Sequence, residues 1–160
     1  MEYHSSLQTP LGVLNIKSNG KAVYAIGYYD GSLPENPDAL TEAARFQLQQ
    51  YFAGSRSTFD FPLEQKGTDF QQQVWAELLK IEPGSPISYA ALSKRMNNPL
   101  AIRAIASANG KNKLMIVVPC HRVIGSGGEL VGYAGELWRK KWLLEHEARM
   151  MKLGQSSLLF

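Results

Sequence analysis

The hydrophobic pattern of this chain changes period along its length, and the changes divide it into elements. Leu11–Ile16 and Ala22–Tyr29 are rich in β-branched, aliphatic and aromatic residues, and Ser18-Asn19-Gly20-Lys21 between them has the composition of a hairpin turn. Leu40, Ala44, Leu48 and Tyr51 then recur at three- and four-residue spacing, which predicts a helix to about Phe52. Asn36 is its expected N-cap, Pro37 its first-turn proline and Gly54 its stop. The polar stretch from Ala53 to Gly67, with Pro62 inside it, reads as a linker.

Beyond residue 67 the period is mostly helical. Phe70, Val74, Leu78 and Ile81 make one stripe, with Trp75 and Leu79 beside it, and Pro83-Gly84 ends it. Ser88 can cap a short helix to about Met96, and Asn98-Pro99 can start another to about Ala108. The break from Asn97 to Pro99 fits a helix-turn-helix. Met115–Val118 is apolar and β-prone. A last helix is expected over about Gly135–Met150, with Leu137, Trp138, Trp142, Leu144 and Ala148 inward, and Gly154–Phe160 reads as a loose tail. The fold class is therefore α+β: a sheet-and-helix domain over 1–62 with a linker to about 67, a mainly helical domain over 67–150, and a tail over 151–160.

Composition narrows what such a chain does. Of its 160 residues 44% are apolar or aromatic, enough for a sizeable core. No run approaches a membrane span, and Met1-Glu2-Tyr3-His4 is not the start of a secretory signal. The one cysteine cannot form an internal disulfide, which suits a cytoplasmic protein. Charge is unevenly placed. Residues 1–66 carry five Lys/Arg against seven Asp/Glu, and residues 67–160 carry twelve against seven. The basic second part would attract an acidic partner such as DNA phosphate, although the same excess also describes a plain soluble surface.

The candidate chemistry lies at Cys120. A cysteine among apolar β-type residues is usually a small buried hydrophobe. Three neighbours argue for more. Pro119 holds the chain extended into the cysteine, His121 can draw off a thiol proton, and Arg122 adds positive charge that favours thiolate. A base next to a nucleophile needs an orienting group, and His146 and Glu147 are candidates; each reads equally well as a solvated helix face. No metal is expected, because one Cys and three His (His4, His121, His146) include no pair at ligand spacing. Gly125-Ser126-Gly127-Gly128 reads as a turn rather than a phosphate cradle.

At Pro119-Cys120-His121-Arg122-Val123 the chain resembles the O6-alkylguanine-DNA alkyltransferases, also called methylated-DNA–protein-cysteine methyltransferases. Further motifs stand in family order: Gly67-Thr68-Asp69-Phe70-Gln71 with Val74-Trp75, Ser88-Tyr89, Arg103-Ala104, Ala108-Asn109-Gly110-Lys111-Asn112, Gly132-Tyr133-Ala134-Gly135, and Trp142-Leu143-Leu144-Glu145-His146-Glu147. They cover roughly residues 67–148, and the first 60 residues match weakly. Lys113 and Glu82 stand where the family usually has proline.

The resemblance implies a ribonuclease-H-like N-terminal domain, a winged-helix-like C-terminal domain, and single-turnover repair. Cys120 would accept the alkyl group from O6 of guanine, with O4-alkylthymine a further candidate substrate. His121 would take the thiol proton through a water, Glu147 would orient His121, and Asn112 would brace the turn. Tyr89 would turn the nucleotide out and hydrogen-bond the base, and Lys140 would assist at the leaving oxygen. Arg103 would enter the DNA in place of the extruded guanosine, with Ala104 and Arg122 completing the DNA-binding set. Tyr133, Ala134, Gly135 and Val123 would wall the alkyl pocket. No cofactor is implied. The partner is double-stranded DNA containing O6-alkylguanine, bound through the minor groove by a monomer, with cooperativity along DNA an open question.

This chemistry is self-consistent. Thiolate is the side-chain nucleophile suited to an alkyl carbon, and O6 lies inside the stack, so the base must be flipped. The thioether product is not reversed by thiol exchange, so each molecule acts once. Plainer readings stand beside it: Arg103 as a phosphate contact, Tyr89 and Tyr133 as packing, Lys140 as part of a solvated Arg139-Lys140-Lys141 cluster. Rival functions are a non-catalytic sensor of alkylated bases, a helix-turn-helix regulator with a structural cysteine, and a cysteine hydrolase.

Overall fold

The computed structural model describes residues 1–29, 31 and 33–158, with backbone alone over 153–158. The chain forms two compact units, one from residues 1–65 with 113–117, the other from 66–112 with 118 onward. The α+β class is the expected one.

In the first unit β1 (Tyr3–Thr9), β2 (Gly12–Ser18) and β3 (Val23–Tyr28) form an antiparallel sheet in that order. Strand β1 was not foreseen, because Tyr3–Thr9 contains a single aliphatic residue, Leu7. It is a strand because Ser5 and Leu7 alternate into the core opposite Ile16 and Leu14. The turn at 19–22 is as expected: the Asn19 side-chain oxygen accepts from the amides of Lys21 and Ala22 (2.9 and 3.0 Å), and Gly20 takes φ of +88°. Leu14, Ile16, Val23 and Ile26 pack with Leu48 and Tyr51 of α1 (Ala39–Phe52), all fully buried.

Helix α1 begins later than the Asn36-Pro37 reading. Asn36 exchanges backbone hydrogen bonds with His4 (2.8 and 3.0 Å) and is thereby taken into the sheet. Asp38 is the cap instead, its carboxylate accepting from the Thr41 amide at 2.8 Å while the Thr41 hydroxyl accepts from the Asp38 amide. The stretch after Gly54 is not a free linker. Pro62 accepts from the Val23 amide (2.9 Å) and Glu64 donates to the Val23 carbonyl (3.0 Å), an edge position that proline tolerates because no amide is needed from it. Met115–Val118 is no strand either. Leu114 bridges Ile26 in parallel, and Ile116 then turns at φ of +72°, closed by a hydrogen bond from the Val117 amide to the Met115 carbonyl (2.8 Å). A β-branched residue in that γ-turn is a strained conformation.

In the second unit α2 (Asp69–Leu78) starts at a capping box of Thr68 and Gln71. Ile87–Ser88 (β4) pairs in parallel with Val123–Ile124 (β5). Helix α3 (Tyr89–Arg95) is capped by Ser88 as expected. Helix α4 (Ile102–Gly110) begins later than Asn98-Pro99, because Asn98 closes a turn with the Ala101 amide (3.1 Å) and Asn97 takes a left-handed φ of +54°. Helix α5 (Leu137–Leu158) runs past Met150 through most of the expected tail; residues 159 and 160 lie outside the described residues. Its inward face also differs. Leu137 and Trp138 are about half exposed and Ala148 is exposed, while Lys140, Leu143, His146 and Glu147 are buried.

Candidate active site

Two tight turns and a helix end place the cysteine. Pro119 has φ of −82° and ψ of 65°, and the Cys120 amide donates to the Val118 carbonyl at 2.8 Å, an inverse γ-turn. A 3-10 turn, Cys120–Arg122, follows at once. Asn112, just beyond α4, donates from its amide to the same Val118 carbonyl at 2.9 Å. The bracing role expected of Asn112 therefore has a matching contact.

Behind the cysteine lies a buried charged cluster. Glu147 of α5 is fully buried and takes a paired contact from Arg122, Nε to Oε1 and Nη2 to Oε2, both 2.9 Å. The remaining Arg122 nitrogen donates to the Ile81 carbonyl at 2.7 Å. His121 Nε2 meets Glu147 Oε2 at 2.8 Å. Burial pushes the Glu147 carboxyl up, but His121 and Arg122 together outweigh it and hold the group below the usual carboxylate range. Burial pulls His121 down, against the pull of Glu147. A neutral imidazole facing an ionised carboxylate donates from Nε2, which leaves Nδ1 as an acceptor. That Nδ1 is buried and has no hydrogen-bond partner among the described residues.

Arg122 must be reassigned. At 6% exposure its guanidinium is spent on Glu147 and the Ile81 carbonyl, and Arg122 is not among the groups that shift the thiol. The thiol also differs from the expectation of a favoured thiolate. Burial pushes Cys120 up to about 11, outweighing an Asn112 hydrogen bond and the Lys140 charge. Burial therefore favours the protonated form of the sulfur.

Cys120 lies in a cleft of about 310 Å³, a volume suited to a small-molecule or base-sized guest. Tyr89 and Asn109 share its wall with the cysteine; Ile102 and Arg103 come from the start of α4, and Val131, Gly132, Tyr133 and Ala134 from the loop before α5. Arg103 and its neighbour Ala104 are exposed. Gly132 has φ of +59°, and a Cβ on it would stand 3.8 Å from the Tyr89 hydroxyl. Val123 and Gly135, expected in the pocket, are buried away from it. Val123 accepts from Lys140 through its carbonyl, and Gly135 from Arg139.

Lys140 does not face the cleft either. Its ammonium donates to three carbonyls, Val123 (2.6 Å), Val131 (2.8 Å) and Gly132 (3.0 Å). All three N–H bonds are used, so Lys140 ties the 131–132 loop to β5 instead of reaching a leaving oxygen. Burial pulls it down to about 8, partly opposed by Cys120. One residue of the site was missed altogether. Asn109, noted only within a motif, is buried and donates from Nδ2 to the Tyr89 hydroxyl (3.1 Å) and the Cys120 carbonyl (3.2 Å). It stands in the last turn of α4, three residues on from Ala106 and six from Arg103, both of which also line the cleft.

Among the described residues no group of three or more His, Cys, Asp or Glu is gathered for a metal, and no helix is long and apolar enough to cross a membrane.

Comparisons agree with this geometry. The family profile described as 6-O-methylguanine DNA methyltransferase, DNA binding domain, matches residues 69–149. The one described as the ribonuclease-like domain of the same methyltransferase matches residues 3–65. A methylated-DNA–protein-cysteine methyltransferase of Mycobacterium leprae is 42% identical over 150 residues, covering 89% of this chain and 90% of that protein. The constitutive methylated-DNA–protein-cysteine methyltransferase of Bacillus subtilis is 42% identical over 147 residues, covering 84% and 88%. A crystal structure of Mycobacterium tuberculosis OGT in complex with DNA superposes with a TM-score of 0.84 at 39% identity, covering 92% of this chain and 93% of that one.

Proposed function

The chain belongs to the 6-O-methylguanine DNA methyltransferase family, and from that premise we propose that Cys120 takes the alkyl group from O6-alkylguanine in double-stranded DNA and keeps it. The observation that carries this reading is the placement of a buried thiol in a base-sized cleft beside a buried histidine–glutamate–arginine cluster.

The step is a displacement at the alkyl carbon. The sulfur–carbon bond forms, the carbon–O6 bond breaks, and the electron pair leaves on guanine. The thiol proton passes to Nδ1 of His121 through a water. Glu147 holds the imidazole in the tautomer that can receive it and stabilises the imidazolium, and Arg122 keeps Glu147 ionised. The guanine anion takes a proton from the Tyr89 hydroxyl. Reaching O6 requires the nucleotide to leave the stack, and Arg103, exposed at the cleft mouth, fills the space it vacates. Tyr133 and Ala134 wall the alkyl group, and Asn112 braces the cysteine turn. The protein works as a monomer in the cytoplasm, needs no cofactor, and is used once.

Intact-mass measurement tests it. With excess duplex containing O6-methylguanine, the protein should gain one methyl on Cys120 and stop there, and Cys120→Ser should gain none. Tight binding of the lesion without any mass gain would favour the sensor reading instead.

A further inference from the structure

We propose that Asn109 is a positioning residue that fixes which way the Tyr89 hydroxyl bonds, so that its proton is offered to the cleft. The inference rests on the alkyl-transfer reading above and adds to it a residue that this reading does not use.

Asn109 is 4% exposed in the last turn of α4, and one amide nitrogen serves two oxygens, the Tyr89 hydroxyl at 3.1 Å and the Cys120 carbonyl at 3.2 Å. A carbonyl can only accept. The Cys120 carbonyl therefore fixes the amide with nitrogen inward, and the tyrosine oxygen beside it must accept as well. Reversing the amide would let Oδ1 receive the tyrosine proton but would set two acceptor oxygens against each other at Cys120. The protein keeps the first arrangement even though Oδ1 is then buried with no partner among the described residues, an uncommon state for a buried amide oxygen.

The consequence falls on Tyr89. Its hydroxyl oxygen is occupied by the Asn109 donor, and its own proton has no acceptor among the described residues. Tyr89 and Cys120 line the same cleft, and Gly132, also in its lining, places no side chain against the hydroxyl, where a Cβ would stand 3.8 Å away. Through one side chain the turn that carries the nucleophile is thus linked to the donor that would meet the leaving base. Asn109 touches no reacting atom and acts through Tyr89.

The test is a double-mutant cycle on single-turnover methyl transfer from duplex DNA containing O6-methylguanine, with iodoacetamide alkylation of Cys120 as control. Iodide leaves without needing a proton, so the control reports on the thiol and on folding but not on Tyr89. N109L should slow methyl transfer about tenfold or more, leave the iodoacetamide rate within about twofold, and cost no further rate in a Y89F background. N109D, which keeps the shape but can accept the tyrosine proton, should also slow methyl transfer in the Tyr89 background and not in Y89F. Equal losses from N109L in both backgrounds, an iodoacetamide rate that falls in step, or full activity of N109L or Y89F alone would overturn the proposal. Failure of the unsubstituted protein to take up methyl would instead overturn the function itself, and is seen before any variant is compared.

Discussion

Glu147 decides the charge balance at the centre of the site. It receives Arg122 through two hydrogen bonds and His121 through a third, all in a buried setting. Removing one member of such a cluster costs more than the cluster contributes, because the partner is left charged and uncompensated. Glu147→Gln should lower unfolding free energy by about 3–5 kcal/mol, read from urea denaturation, and should abolish methyl transfer. A loss under about 1 kcal/mol would show that Arg122 finds another partner. The pH dependence follows from directions with opposite signs. Burial depresses His121 below its ordinary 6.5, so it stays neutral, and able to accept a proton, as pH falls through that value. Burial raises Cys120 to about 11, so free thiolate is scarce at any neutral pH. Transfer carried by His121 should be nearly constant from pH 8.5 to 6.5 and fall only in more acid solution. A tenfold rise per pH unit across that range would mean that the thiolate forms by free ionisation instead. At this scale the sequence marked Cys120 and His121 by their adjacency, while the contact between His121 and Glu147 spans 26 positions and was suggested by the family likeness instead. It misled at Arg122, whose adjacency to the thiol suggested a charge effect that a residue 25 positions away absorbs. Asn109 gave little sign of its role because its partners lie 20 and 11 residues off.

Helix α3 begins where its capping residue Ser88 predicts, because a cap acts over three residues; the Thr68-Gln71 box that starts α2 is a signal of the same short range. Strand β1 escaped notice because its stability comes from pairing with β2 and from a buried serine, neither of which is a local apolar signal. Helix α5 was misread for a functional reason. An inward face of Lys140, Leu143, His146 and Glu147 inverts the usual apolar rule, since two of its polar members serve the site. Lys140 is the pin of this element. It holds the 131–132 loop by two carbonyls and β5 by a third. Lys140→Met should free the loop, with amide exchange at Gly132 and Tyr133 about tenfold faster or more and little change in α2. Unchanged exchange in the loop would show that its own turns hold it. Methyl transfer should fall in the same variant, because Gly132 stands opposite the Tyr89 hydroxyl.

Over the whole chain, net charge and architecture were readable early, while the reach of the family likeness was underestimated: it extends from residue 3 to 149, including the first 60 residues where motifs are sparse. The basic second part predicts a salt-sensitive, sequence-tolerant association with DNA. Arg103→Ala should weaken transfer from duplex DNA by a larger factor than transfer from free O6-alkylguanine, as compared by second-order rate constants; equal losses would refute a role in filling the vacated stack. The first unit is discontinuous, since residues 113–117 belong to it and Leu114 pairs with Ile26 on β3. During synthesis, then, the sheet emerges with the Ile26 edge bare, and it stays bare until the polymerising chain has delivered all of α2, α3 and α4. A released fragment ending at 65 should self-associate through that edge, whereas the finished protein should not. Size-exclusion chromatography of the two would tell. Biosynthesis of this protein thus has an enforced order, in which the sheet is completed by the same short stretch of chain that leads directly into the reactive thiol.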